Sequence, residues 1–251
     1  MKIVSAIALF LLCLVQAASA HDRVRLANGE WPPYLGSDLK HYGVASRIVT
    51  DAFALGGIEV EYGFFPWLRS MMLAKQGTWD GTLVWFSSTE RRKMFYVSDP
   101  VIISTYVFFH RKDMTFDWRT MEDLKGCAIG ATVGYDYGEA FQKAERQGLI
   151  RVERVPTDEM NLKKLVHGRT DIFPIDREVG LSMMRKHLSE ADRNRLTFHP
   201  LPLRTDPLCL LLSRKVSRNS DRIKVFNAGL RRLKEQGKVN RYLREALTFH
   251  P

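Results

Sequence analysis

Short apolar runs alternate with stretches of helical spacing along this chain, and that alternation restricts its fold more than any other feature of the sequence. Val24 to Ala27 reads as a strand. From Ala45 to Leu55 the residues Ile48, Val49, Ala52, Phe53 and Leu55 keep helical spacing until Gly56-Gly57 stops it. Ile58 to Phe64 sets Val60, Tyr62 and Phe64 against Glu59, Glu61 and Gly63, the period of a strand. Pro66-Trp67-Leu68-Arg69 then opens a helix to about Lys75, Gly77 ends it, and Thr82 to Phe86 forms a buried strand. This β-α-β-α-β order is the mark of a mostly parallel sheet with helices on its faces.

The pattern starts again after an apolar strand, Tyr106 to His110, and a polar stretch, Arg111 to Arg119, where the chain is expected to cross to a second lobe. That lobe reads as strand Cys127 to Ala131, helix Glu139 to Gln147, strand Arg151 to Val155, helix Met160 to Val166, strand Asp171 to Ile175 and helix Val179 to His187. Leu208 to Leu212 is fully apolar and needs a buried sheet, so the chain is expected to return to the first lobe near Leu203 to Pro207. A last helix with Ile223, Phe226, Leu230 and Leu233 on one face packs there. The expected division is residues 21–110 and 204–251 in one lobe and 111–203 in the other, joined by two crossings.

Residues 1–20 read as an export signal: Lys2, an apolar run from Ala6 to Val15 too short to span a membrane, then Ala18-Ser19-Ala20 as a cleavage site. The product is expected to be soluble and periplasmic, with no stable membrane insertion, and Cys13 leaves with the signal. Cys127 and Cys209 lie in separate strands and read as buried thiols rather than a disulfide. The formal charge of +10 is spread along the chain without a nucleic-acid motif, so it gives a background preference for anions and no nucleic-acid partner. No two of the seven histidines have helical metal-ligand spacing, and neither metal nor cofactor is expected.

Chemistry concentrates in DGTLVWFSSTERRKMFYVSDP, residues 80–100. Ser88 offers an N-cap hydroxyl to a short helix carrying Arg91, whose planar fork suits a carboxylate or phosphate; the alternative is a solvated charge cluster. Asp176 ends a strand in GRTDIFPID, the position where open α/β sheets bind ligands, and could pair with an ammonium or merely cap the next helix. Trp31, Trp67 and Trp85 each adjoin a strand end and are divided between core and pocket. Gly130-Ala131-Thr132-Val133-Gly134 lacks both the base a nucleophile needs and a Gly-Lys-Ser/Thr ending. Its backbone N–H groups could hold an anion, with Asp136 competing for them.

Taken together, WPPY, the 80–100 stretch, DLKGCAIGATVGYDYGEAF and GRTDIFPID resemble the family 3, amino-acid-type, extracellular solute-binding proteins of bacteria over essentially the whole mature chain. Ser88-Thr89-Glu90-Arg91 looks like that family's Thr-Pro-Glu-Arg turn. The resemblance implies a type II two-lobed periplasmic-binding-protein fold that traps a solute at the lobe interface for uptake by an ABC permease, as a monomer without chemistry of its own. By the same resemblance Arg91 grips the ligand carboxylate, Asp176 its α-ammonium, and Tyr34 and Trp67 supply aromatic walls, beside Ser88. Val84 and Trp85 stand where the family has small polar residues. Tyr135-Asp136 replaces a Thr-Thr type pair, and an anionic Asp136 there would repel a carboxylate. A sensing module is the alternative. A dehydratase-type enzyme is a weaker one, for which Asp136 and Asp176 are the candidate acid or base.

Overall fold

The computed structural model describes residues 22–247; the export signal, Cys13, His21 and His250 lie outside the described residues. The strands are β1 (Asp22–Asn28), β2 (Ile58–Phe64), β3 (Gly81–Phe86), β4 (Phe95–Arg111), β5 (Ala128–Thr132), β6 (Arg151–Val155), β7 (Ile172–Asp176), β8 (Leu196–Phe198) and β9 (Arg204–Ser213). The helices are α1 (Val44–Ala54), α2 (Trp67–Gln76), α3 (Thr89–Met94), α4 (Glu139–Arg146), α5 (Asp158–Val166), α6 (Arg177–His187), α7 (Glu190–Asn194), α8 (Asn219–Glu235) and α9 (Lys238–Leu247).

All strands join one nine-stranded sheet in the order β2-β1-β3-β9-β4-β7-β5-β6, with β8 added on β4. Pairs β1–β2, β1–β3, β5–β6 and β5–β7 are parallel, as the alternation predicts. The pairs that β4 and β9 make are antiparallel. The two expected crossings are therefore one antiparallel ribbon. β4 is a single 17-residue strand rather than a short one starting at Tyr106. Pro100, which cannot donate to a ladder, is absorbed by register shifts on either side of it rather than ending the strand.

The register places the site. β3 ends with Phe86 opposite Leu208, and Leu208 lies across from Ile102. β7 runs the other way and ends with Asp176 opposite Tyr106, which faces Arg204. Carboxyl ends of two parallel units thus point at the same central stretch of ribbon, about 13 Å apart at a strand's rise per residue. That is the crevice position at which open α/β sheets hold ligands.

Apolar faces meet where the spacing requires. Val24, Leu26, Ile48, Phe53, Leu210 and Phe226 form part of one core, and Phe108, Trp118, Ile129, Phe141 and Ile172 part of another. Gly237, with φ 67, ends α8 and lets α9 fold back to bury Val239 and Tyr242, a helix that the reading of the sequence omits. Cys127 and Cys209 are both free thiols.

One charged group ties the first unit together. Arg222 of α8 is buried at 6 % exposure, yet its Nη2 donates to Asp22 Oδ1 at 2.6 Å and to the Arg23 carbonyl at 2.7 Å, while Nη1 reaches Asp80 Oδ1 at 3.1 Å. Strands β1 and β3 and helix α8 are locked at one point. The bond to Arg222 holds the Asp22 carboxyl below the usual carboxylate range. Its stabilisation is complete above the ordinary carboxylate pKa and is lost as pH falls through the depressed native value. Arg222→Met should cost about 3 kcal/mol in urea unfolding at neutral pH by stranding two carboxylates, with a smaller penalty in acid. An unchanged midpoint would show that the cluster contributes nothing.

Candidate ligand crevice

Local sequence explains how each wall is built. The loop after β1 is pinned to the start of α1, with Val44 N donating to the Pro33 carbonyl and Ala45 N to the Tyr34 carbonyl at 3.0 Å. Gly43 permits this approach: its φ is 95, and a Cβ there would lie 2.3 Å from the Tyr34 carbonyl oxygen. Tyr34 is thereby fixed and 2 % exposed. Gly29 plays the same part for Trp67, whose indole would be 2.3 Å from any Cβ at that position.

At the end of β3 a bulge between Thr82 and Trp85 breaks the register, and Val84 sits within it at φ 60. A β-branched residue is strained there, so the bulge is imposed by its surroundings. It aims Trp85 at Trp67, the rings meeting edge to face at 5.3 Å, while the Trp85 indole N–H donates to Thr82 Oγ1 at 2.9 Å. Ser88 caps α3 by accepting from Arg91 N at 3.2 Å, which makes it a positioning group for the arginine.

The Arg91 guanidinium lies over Phe86 at 4.0 Å and over Trp85 at 4.7 Å, and its Nη1 donates to the Phe86 carbonyl at 2.6 Å. Among the described residues its remaining N–H groups meet no protein acceptor. Burial draws its pKa down and nearby Asp136 opposes that. Arg91 is therefore half-buried and aromatic-framed rather than one of a solvated cluster.

On the facing wall Asp136 is not left as a free anion. Arg204 Nη1 donates to its carbonyl at 2.9 Å and to Oδ1 at 3.2 Å, and Oδ1 also accepts from Gly138 N at 2.8 Å. The same arginine forks onto Asp206 through Nε and Nη2 and stands 5.5 Å from the Phe86 ring. The contacts Arg91–Phe86–Arg204–Asp136 thus run from the end of β3 to the loop after β5. The expected repulsion of a carboxylate by Asp136 is offset by its arginine partner. Arg204 was missed in the sequence, although Arg204-Thr205-Asp206 places cation and acid on one face of a strand.

Asp176 departs furthest from its expected role. It is 1 % exposed; Oδ1 accepts from Glu178 N and Val179 N, each at 3.1 Å, and Oδ2 from Ser104 Oγ at 2.7 Å and Thr105 N at 3.1 Å. The Tyr34 phenol lies near this carboxylate: burial pushes the phenol up, and the Asp176 charge adds to it. Helix capping and the ribbon engage both oxygens, so the capping alternative describes what the side chain does here. Burial pushes its carboxyl up, against those hydrogen bonds. A second buried acid, Asp158, accepts from Thr132 Oγ1, and burial raises it as well, against that bond and the nearby Tyr135 phenol. Tyr106 and Tyr137 stack edge to face at 6.0 Å beside it, and Asp158 and Asp176 both act on the Tyr106 phenol, which burial raises first.

The structure so gathers Arg91, Ser88, Trp67 and Trp85 on one wall, Tyr135 and Asp136 on the other, and Tyr34 and Asp176 between them. Two concavities of about 430 and 320 Å³ lie elsewhere, against Arg47 and Tyr242 and against Ile103 and Leu243, and touch none of these residues. Among the described residues no group of His, Cys, Asp and Glu is placed to hold a metal ion.

Comparison with solved structures decides the fold. An ancestral arginine-binding protein bound to arginine superposes with a TM-score of 0.72 at 18% identity, over 89% of this chain and 97% of that one. The fold is the two-lobed fold of periplasmic binding proteins. A histidine kinase sensor domain with similarity to those proteins gives 0.71 at 18% identity, over 90% of this chain and 97% of the sensor. An ancestral amino acid-binding protein, a precursor of cyclohexadienyl dehydratase, gives 0.69 at 16% identity, over 90% and 95%. In sequence, a probable amino-acid-binding protein of Bacillus subtilis (strain 168), YxeM, is 25% identical over 119 residues, 47% of this chain and 41% of that relative, less than half its length. No family model matches the chain. No helix among the described residues is long and apolar enough to cross a membrane.

Truncating Asp176 separates a structural role from a ligand contact. Asp176→Ala strands donors of β4 and α6, and should lower unfolding free energy by about 3 kcal/mol without any ligand. Unchanged stability would mean that the carboxylate is held for a guest alone.

Proposed function

We propose that this chain is a periplasmic solute-binding protein, exported by the signal at residues 1–20, that captures a small amino-acid-like carboxylate between two lobes and presents it to an ABC-type permease. The observation that carries this reading is Arg91: a half-buried guanidinium whose N–H groups, beyond the bond to the Phe86 carbonyl, meet no acceptor among the described residues, framed by Trp85 and Phe86 at the crevice end of β3. Residues 21–110 and 204–251 are assigned to one lobe and 111–203 to the other, with the β4–β9 ribbon as the hinge. Arg91 binds the carboxylate, Ser88 orients it, Trp67 and Trp85 wall the solute, and Tyr135 with the Asp136–Arg204 pair closes from the second lobe. Across an open, wet crevice each contact is weak, and closure strengthens them together by excluding water. A ligand that touches both lobes selects the closed form.

The likeness to a sensor domain favours a second reading, in which the closed lobes signal rather than deliver. An enzymatic reading draws on the dehydratase precursor alone. Asp136 and Asp176, its candidate acid or base, are both engaged by protein donors.

A thermal-shift panel of amino acids, polyamines and organic acids should find compounds that raise the melting temperature. Calorimetry should then show Arg91→Ala weakening the best of them roughly 10- to 100-fold, with melting of the free protein unaltered. Equal affinity in that variant would remove Arg91 from the site.

A further inference from the structure

Two guanidiniums frame the Phe86 ring, and they differ in what they hold. Arg91 lies 4.0 Å from the ring centroid and Arg204 lies 5.5 Å from it. Arg91 gives one N–H to the Phe86 carbonyl, and its other donors meet no acceptor among the described residues. Arg204 is committed on every side: Nε and Nη2 fork onto Asp206, and Nη1 donates to the carbonyl of Asp136 at 2.9 Å and to its Oδ1 at 3.2 Å. Asp206 stands two residues along β9 on the same face of the strand, so it orients the guanidinium that in turn orients Asp136.

Asp136 depends on that hold. It is exposed on the loop between β5 and α4, and apart from Arg204 its carboxylate accepts only the Gly138 amide, at 2.8 Å. The backbone of the loop has anchors of its own: Arg154 Nη1 donates to the Tyr135 carbonyl at 3.4 Å, and the Tyr137 hydroxyl accepts from Thr132 N at 2.7 Å. Loss of Arg204 would therefore release the Asp136 side chain more than it would move the loop. The nearest cation with donors left over is Arg91, which already feels this acid: burial draws its pKa down, and the Asp136 charge opposes the drop. A bond between the two would be charge-assisted, and it would fill the fork that a guest carboxylate needs.

We infer that Arg204 is a positioning residue that keeps Asp136 turned away from Arg91, so that the Arg91 fork stays open to a carboxylate guest instead of being closed by the protein's own acid. That the guest is a solute rests on the function proposed above; the hold of Arg204 on Asp136 does not.

Phenylglyoxal, which condenses with unpaired guanidiniums, reads the state of Arg91 without any solute. Modification of Arg91 should be followed by peptide mass spectrometry in the wild type, in Arg204→Gln, and in Arg204→Gln combined with Asp136→Asn or with Asp206→Asn. Arg91 should react in the wild type and about tenfold or more slowly in Arg204→Gln, the equivalent of one charge-assisted hydrogen bond. Adding Asp136→Asn should bring the rate back toward the wild type, whereas adding Asp206→Asn should not. A merely structural loss at Arg204 would not be repaired by neutralising one exposed acid. If Arg204→Gln does not fold, Arg204→Lys carries the same comparison, because one ammonium cannot fork onto Asp206 and hold Asp136 as well. Equal rates in the wild type and the Arg204 variant, or equal rescue by either asparagine, overturn the role of Arg204 and leave the solute-binding reading standing. An Arg91 that is inert in the wild type overturns this inference together with the role given to Arg91 above.

Discussion

The long antiparallel ribbon of β4 and β9 is the constraint on which the rest depends. A parallel unit must cover its open edge and bury its strands on both faces, and each unit here does so by docking onto a different stretch of the same two strands. Because β3 and β7 enter from opposite ends and run in opposite directions, their carboxyl ends face each other over the middle of the ribbon. The helix α3 that carries Arg91 and the loop that carries Asp136 are thereby opposed.

Charge follows burial both in the crevice and in the Arg222 cluster at the other end of β1. Arg222, Arg204 and Asp176 are each drawn out of water, and each is matched by several partners, because an isolated ion there would be too costly to keep. Arg91 is the exception, with part of its fork uncommitted and its faces covered by rings. A guanidinium tolerates this better than an ammonium would, since it is weakly hydrated and stacks on aromatic surfaces. That asymmetry, rather than any motif, is what supports the proposal that the ligand binds on this side of the molecule.

Much of this was legible in the sequence. Ile58–Phe64 and Arg151–Val155 are strands over the residues that their alternation indicates, and Ser88 caps α3 as its position before Thr89-Glu90-Arg91 suggests. Such signals are local, set by period and by cap chemistry. The unbroken course of β4 through Pro100 was not legible, because pairing with β9 supplies what the local sequence lacks. Nor was the engagement of Asp176 by Ser104, or of Asp136 by Arg204: partners about seventy residues apart meet only through the topology. A single sequence reveals that an acid stands at a strand end, but not which donors reach it.

The central claim is that one guest is held from both sides of the crevice at once. Hydrogen exchange, followed by mass spectrometry on the protein with and without a saturating ligand, reads both walls in a single experiment. The account predicts slowed exchange at residues 85–91 and at residues 134–138 together, with little change around Arg47 and Tyr242. Protection confined to one wall, or centred on the Arg47 concavity, would contradict it.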